Sequence, residues 1–279
     1  EDRGQMLGQF RSHFRSKMSH NRNNLADKTV FVTGAFGVFG QEICRHYLEN
    51  DANVVFCGHG PEKIEFWHFE LAKNYPENRF LVLPLEITDP TSIERAVAQS
   101  VDKFTTIDVL VNNAAIDAKL DPGNLQHIDN SSFENYPISL IKKSIDVNTL
   151  GTIQMTQIMC RHMLRQGFGN IINVGSIYSV VAPNEALYEC GPEGPRYKPI
   201  DYVVSKSFIP NFTRYIAALY AKKGIRCNAI APHGVVDGHS KEFQDRFAKL
   251  SPMGRMCERN ELAGPFLFLA SDSSSYMTG

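Results

Sequence analysis

Tyr202 and Lys206 stand four residues apart in the stretch DYVVSKSF, a spacing that puts both on one face of a helix, one turn apart. A phenol with its ordinary pKa of about 10 is a poor acid or base at neutral pH. A neighbouring ammonium favours the phenolate and brings that value toward the working range of a proton-transfer catalyst. The plain alternative is a packed tyrosine beside a snorkelling lysine. The pair alone favours the plain reading, so what else the chain supplies decides.

Other polar residues with chemical capacity fall where apolar runs end. TVFVTG (29–34), NVVFCG (53–58), RFLVLPL (79–85), IDVLVNNAA (107–115), GNIINVGS (169–176) and GIRCNAIAP (224–232) read as strands. They lack period-two alternation, as suits a sheet covered on both faces. Helix patterns separate them: one to about residue 50, one near 61–74, one opening at Asp89 or Thr91 with Pro90 in its first turn, and a long one near 138–166. The expectation is an α/β fold, a doubly wound parallel sheet in a single domain with helices on both faces. Ligands of such sheets bind beyond the carboxyl ends of the strands, where Gly34, Asn112, Ser176 and Pro232 fall.

The segment TGAFGVFG (33–40) follows the first strand and opens the first helix. Gly34 permits a tight turn, Gly37 lets backbone approach a phosphate, and Gly40 lets helix and strand pack closely. The helix N-terminus then offers free N–H groups to a pyrophosphate. Phe36, Val38 and Phe39 belong to the same loop. The second strand ends Cys57-Gly58-His59, without the acid that usually holds the ribose hydroxyls of NAD. His59 or Lys63 could approach a 2′-phosphate instead, which leans the cofactor toward NADP; a simple chain turn at Gly58 and His59 is the other reading. Pro210 cannot donate to the Lys206 carbonyl, so the helix carrying Tyr202 is expected to bend there. That bend either tilts Lys206 toward the cofactor or is merely tolerated.

Composition narrows the field further. The 279 residues are 43% hydrophobic, with 29 basic against 30 acidic side chains, so there is no basic footprint for nucleic acid. No apolar run is long enough to span a membrane. Six scattered cysteines without Cys-x-x-Cys or zinc spacing imply a reducing, cytoplasmic setting and no metal. Residues 1–26, which begin without Met and carry Arg11, Arg15, Lys17 and Arg22, read as an arm or solvated helix; a basic face for a partner or an acidic membrane is the alternative. Residues 27–279 read as the domain.

The glycine loop, Asn112-Asn113-Ala114-Ala115, Asn148 in the long helix, Ser176 at a strand end, Tyr202-x-x-x-Lys206 and Asn228-x-Ile230-x-Pro232 occur in that order. The set resembles the short-chain dehydrogenase/reductase superfamily from about Leu25 to Gly279. The resemblance implies hydride transfer between NAD or NADP and a carbonyl or alcohol carbon. It implies that Tyr202 exchanges the proton, Ser176 hydrogen-bonds the substrate oxygen, Lys206 binds the nicotinamide ribose and depresses the tyrosine pKa, and Asn148 holds a water leading to solvent. Asn112 and Ala114 would line the cofactor site, Glu86 and Ile87 would lie near the adenine, and Pro232, Gly234 and Val235 would border the nicotinamide.

Two departures bear on the branch. Val38 stands where most shorter members have their second glycine, and the G-x-x-G-x-x-G spacing resembles the extended branch of epimerases and dehydratases. The later motifs, with SPMGR and FLFLASDSSSYMTG, resemble the shorter dehydrogenase branch. Ser176 and Tyr202 are also unusually far apart, and the intervening NEALYECGPEGPRYKP, within a substrate loop near 184–199, looks like that of members tied to flagellin modification and surface-sugar biosynthesis. Tyr178, Tyr188, Arg196 and Lys198 are therefore candidate contacts to a polar, sugar-like substrate, with Arg196 or Lys198 meeting an anion. Members of the family continue beyond Tyr-Met-Thr-Gly into an edge strand that this sequence does not reach. They pair through the helices near 138–166 and 201–222, so a homodimer or homotetramer is expected. Epimerase or dehydratase chemistry with retained cofactor, and non-catalytic cofactor sensing, are the other functional readings.

Overall fold

Among the described residues, six short apolar strands line up in parallel, the third in sequence at one edge, followed by the second, first, fourth, fifth and sixth. The computed structural model describes residues 24–117, 132–188 and 197–279. The strands are β1 (Thr29–Thr33), β2 (Asn53–Gly58), β3 (Phe80–Pro84), β4 (Val109–Asn112), β5 (Gly169–Val174) and β6 (Ile225–Ile230). The helices are α1 (Val38–Glu49), α2 (Pro61–Ala72), α3 (Pro90–Phe104), α4 (Ile138–Ser144), α5 (Thr152–Gln166), α6 (Ile200–Ser207), α7 (Ile209–Tyr220), α8 (Lys241–Leu250) and α9 (Ala263–Ala270). Strand order reverses between β1 and β4, which pair from Val30 with Val109 to Val32 with Val111. The predicted doubly wound sheet is therefore present, with its crevice at that reversal.

The strands carry apolar side chains on both sides because both sides are covered. Val30, Val32, Val54 and Phe56 pack on one face against Ile43 and Tyr47 of α1 and Phe266 of α9. Phe31, Val55, Leu110 and Ile171 pack on the other against Ile93 of α3, Met155 and Met159 of α5 and Ile216 of α7. The sequence placed the strands correctly but ran several too long. At the carboxyl ends the backbone leaves the ladder for side-chain partners, as where the Asn113 amide donates to Thr33 Oγ1 at 3.0 Å.

Three local predictions can be followed in detail. Asp89 caps α3, its carboxylate accepting from the Thr91 amide at 2.9 Å, with Pro90 in the first turn. The long helix near 138–166 runs as α4, a π-helical turn over Ile145–Gly151, then α5. Asn148 sits in that π turn, a widening that helices show most often at functional sites. At Pro210 the predicted interruption is present: α6 ends at Ser207 and α7 begins at Ile209.

Candidate functional site

The glycine loop closes one end of a cleft of about 700 Å³ at the sheet's reversal point. Gly34 has φ +65°, and a Cβ there would stand 2.7 Å from Ala114 Cα. A Cβ at Gly40 would come within 2.2 Å of the Gly34 carbonyl oxygen, so α1 can lie against the turn only because both positions are bare. Gly37 is the N-cap of α1 and offers no side chain, and the first turn of that helix carries no acid. Its first amides are left to meet an anion, with the helix dipole adding to the attraction. This cradle fits a dinucleotide pyrophosphate, and Gly34, Phe36, Gly37, Val38 and Phe39 all line the cleft.

Phe36 explains Gly58. A Cβ at Gly58 would lie 2.4 Å from the Phe36 ring, which is itself stacked on Trp67 at 6.4 Å between centroids. His59 and Lys63 join Gly58 on the cleft wall. His59 Nδ1 lies 3.5 Å from the Glu86 carboxylate, and the Thr88 hydroxyl holds Glu86 below the usual carboxylate value. Glu86 itself, Ile87, Asn112 and Ala114 do not reach the wall. Ile87 is buried beneath Gly151. Asn112 is 2% exposed and its amide donates to Thr156 Oγ1 at 2.9 Å and Asn173 Oδ1 at 2.8 Å. The next residues face the cleft instead: Asn113, Ala115, Ile116 and Asp117.

At the other end stand Ser176, Tyr202 and Lys206, all on the wall. Ser176 follows β5, and Tyr202 and Lys206 occupy successive turns of α6. Burial, and after it the Asp117 carboxylate, push the Tyr202 phenol up to about 12, against a hydrogen bond from Ser176 that favours the phenolate. Lys206 is 3% exposed and donates to the Val174 carbonyl at 2.7 Å; burial lowers it to about 8, with Asp117 opposing. Lys206, which the resemblance implied would depress the phenol's value, is not among the groups that shift it in this structure. Burial and Asp117 set the tyrosine's value, because the lysine's ammonium is turned to a backbone oxygen at the end of β5.

Asn148 is fully buried and lies behind the wall. Its carboxamide clamps Ile116, accepting from that amide and donating to that carbonyl at 2.8 Å each, and it donates to Ser205 Oγ at 2.8 Å. It thereby ties the end of β4 to the helix of Tyr202. Lys198 lies over the Tyr202 ring, 4.4 Å from its centroid, and binds both Asp117 oxygens at 2.9 and 2.8 Å. Its charge is met by Asp117 in this structure, where the sequence suggested that Arg196 or Lys198 would meet a substrate anion. The Tyr178 and Tyr188 hydroxyls meet at 2.6 Å beside it. Arg196 lies outside the described residues.

Pro232, Gly234 and Val235 line the cleft with His233, Asp237 and His239, and Phe243 and Phe247 of α8 close it from above. A Cβ at Gly234 would meet the Phe247 ring at 2.4 Å, which draws α8 down onto that segment. Sequence reasoning missed this lid, although two phenylalanines one turn apart on an otherwise polar helix were a usable signal. It also missed Asp117, the first acid beyond β4. Among the described residues no group of side chains could hold a metal, and no helix is long and apolar enough to cross a membrane.

Comparison with known proteins bears on the same residues. A family model described as "short chain dehydrogenase" matches residues 28–246. The chain is 29% identical over 259 residues to the post-translational flagellin modification protein A of Campylobacter coli, covering 91% of this chain and 95% of that one. It is 31% identical over 264 residues to an L-rhamnose 1-dehydrogenase (NAD(P)(+)) of Azotobacter vinelandii, covering 91% and 94%. Among solved structures, a short chain dehydrogenase from Leptospira borgpetersenii serovar Hardjo-bovis with bound NAD+ superposes with a TM-score of 0.75 at 27% identity, covering 94% of this chain and 92% of that one. With glycine cradle, serine, tyrosine and lysine converging on one cleft, these likenesses show that the chain belongs to the short chain dehydrogenase family and is an NAD(P)-dependent oxidoreductase.

Proposed function

We propose that the enzyme interconverts a hydroxyl and a keto group on a small, polyhydroxylated, sugar-like molecule, with Tyr202 as the proton-exchanging group. A nicotinamide cofactor, when bound, accepts or supplies the hydride. In the oxidation direction the substrate hydroxyl passes its proton to the Tyr202 oxygen in its phenolate form as its carbon loses hydride and the C=O bond forms; reduction reverses both transfers, the neutral phenol giving the proton back. Ser176 hydrogen-bonds the substrate oxygen and stabilises the charge that develops on it. Lys206, on the same cleft wall one turn along α6, would hold the nicotinamide ribose. The observation that carries the assignment is that Ser176, Tyr202 and Lys206 line the same cleft that the glycine cradle closes.

The substrate class rests on the polar wall beside that pair. Lys198 and Asp117 offer a donor and an acceptor side by side, and Tyr178 and Tyr188 add two hydroxyls. Such a set suits neighbouring hydroxyl groups on one carbon chain. Two relatives, a rhamnose dehydrogenase and a flagellin modification protein, point the same way. NADP is the preferred cofactor in this reading, because the chain position just after β2, where an acid would hold the ribose hydroxyls of NAD, is His59, and Lys63 stands on the wall there.

Assembly, domain limits and compartment complete the proposal. A groove of about 380 Å³ between α5 and α7 is flanked by the exposed side chains of Leu164, Tyr215 and Leu219, apolar surface suited to a second copy in a homodimer or homotetramer. Leu25 is buried in the core, so the domain takes in the residues just before β1. The free thiols of Cys44, Cys57, Cys160 and Cys227 fit a reducing cytoplasm. The deciding experiment measures binding of NADH and NADPH by calorimetry, then screens keto-sugars and polyols for stoichiometric change in the near-ultraviolet band of the reduced nicotinamide. Turnover of hydroxylated substrates is expected. Substrate conversion without net cofactor change would instead establish epimerase or dehydratase chemistry.

A further inference from the structure

Pro210 leaves the Lys206 carbonyl without the amide that a continuous helix would provide four residues on. That oxygen is not orphaned. The Ser179 hydroxyl donates to it at 2.9 Å, and the Phe208 amide at the end of α6 also turns toward it. The same Ser179 oxygen accepts from the Ser176 amide at 3.1 Å, and the Ser179 amide donates back to the Ser176 carbonyl at 2.8 Å. Lys206 is therefore held twice by the chain around the end of β5: its ammonium by Val174 and its carbonyl by Ser179. The bracket is tight, since a Cβ at Gly175 would stand 3.2 Å from Ser179 Oγ and 3.3 Å from Ile209.

We infer that Ser179 is a positioning residue whose hydroxyl takes the place of the amide missing at Pro210 and fixes the register of Lys206 and Tyr202 against Ser176. A helix that stays continuous through this point needs no such partner, because the amide four residues on closes its own bond. Here the proline opens the helix directly after the lysine turn, and one hydroxyl from the neighbouring turn closes it again while touching the backbone of Ser176. Sequence position supports the pairing: Ser179 and Lys206 are 27 residues apart and meet only because Ser176 and α6 share the cleft mouth. Loss of the bond leaves that partly buried carbonyl with the Phe208 amide alone, within its own broken helix, and frees the first half of that helix to shift against Ser176.

The inference rests on Tyr202 and Lys206 being the proton-moving pair, so the test reads the bond and its role separately. Ser179→Ala, Ser179→Thr, Pro210→Ala and the double variant Ser179→Ala/Pro210→Ala are compared for thermal midpoint, kcat, cofactor KM and the pH dependence of kcat. In Ser179→Ala kcat falls about tenfold and its pH profile shifts, while cofactor KM stays near wild type. Ser179→Thr keeps the hydroxyl and the rate. Pro210→Ala restores a backbone donor, so the double variant regains the midpoint and most of the rate that Ser179→Ala loses. A double variant no better than Ser179→Ala in either midpoint or rate overturns the inference, also where Ser179→Ala alone folds poorly. Recovery of the midpoint with no change of kcat in any variant overturns the positioning role. Failure of the proton-transfer reading looks different: it is Tyr202→Phe that retains turnover.

Discussion

Burial, then Asp117, holds the Tyr202 phenol near 12, while burial brings the Lys206 amine to about 8. Burial thus drives two groups with similar ordinary values apart, favouring the neutral phenol and the neutral amine, and such separation marks groups with distinct proton-transfer roles. Tyr202→Phe removes the proton carrier and keeps the ring, so turnover should fall roughly 100- to 10,000-fold with cofactor binding nearly intact. Unchanged turnover would take Tyr202 out of the chemistry. Lys206 makes a separate prediction about stability. Its folded value lies below its ordinary 10.5, so between about pH 8 and 10.5 the unfolded chain carries the extra proton, and folding gains stability as pH rises through that window. The thermal midpoint of wild type minus that of Lys206→Met should therefore climb across this range. A flat difference would mean that the amine is not desolvated as described.

At the scale of elements, the site depends on helices that depart from regularity. The π turn at Ile145–Gly151 carries the Asn148 carboxamide, which grips Ile116 and Ser205. Asn148 is thus a clasp between the end of β4 and the helix of Tyr202. Asn148→Ala leaves the Ile116 amide and carbonyl and the Ser205 hydroxyl without that partner, and should lower unfolding free energy by about 2 to 3 kcal/mol. Urea denaturation measures it, and a loss below about 0.5 kcal/mol would contradict the clasp. The interruption at Pro210 belongs to the same pattern: regular hydrogen bonding is given up where a side chain from another element supplies the missing partner.

Across the whole molecule, a sheet with its order reversed between β1 and β4 creates one crevice, and the loops that follow β1, β2, β4, β5 and β6 all supply its walls. Away from the residues that line this crevice, α5 and α7 expose Leu164, Tyr215 and Leu219. Glutamate at Leu164 and Leu219 together would place charge in that apolar groove. Light scattering should then report a smaller assembly than wild type at equal concentration, with cofactor binding retained by the separated chains. An unchanged mass would place the contact between copies elsewhere.

Local patterns determined a good part of this protein. The turn at Gly34, the close packing at Gly40, the cap at Asp89, the interruption at Pro210 and the shared helix face of Tyr202 and Lys206 each follow from residues within a few positions of one another, where backbone sterics and helical spacing leave few choices. Strand order and the partners of side chains far apart in sequence are not written locally. The pleat decided that Asn112 turns inward to Asn173 while Asn113 meets the cleft, because successive strand residues face opposite sides and an error of one position reverses the assignment. Asp117 met Lys198 across 81 residues, α8 came down over Gly234, and Ser179 met Lys206 only once the chain had folded. Such contacts depend on how layers pack, so tertiary structure alone settled which charges the site keeps and which it neutralises.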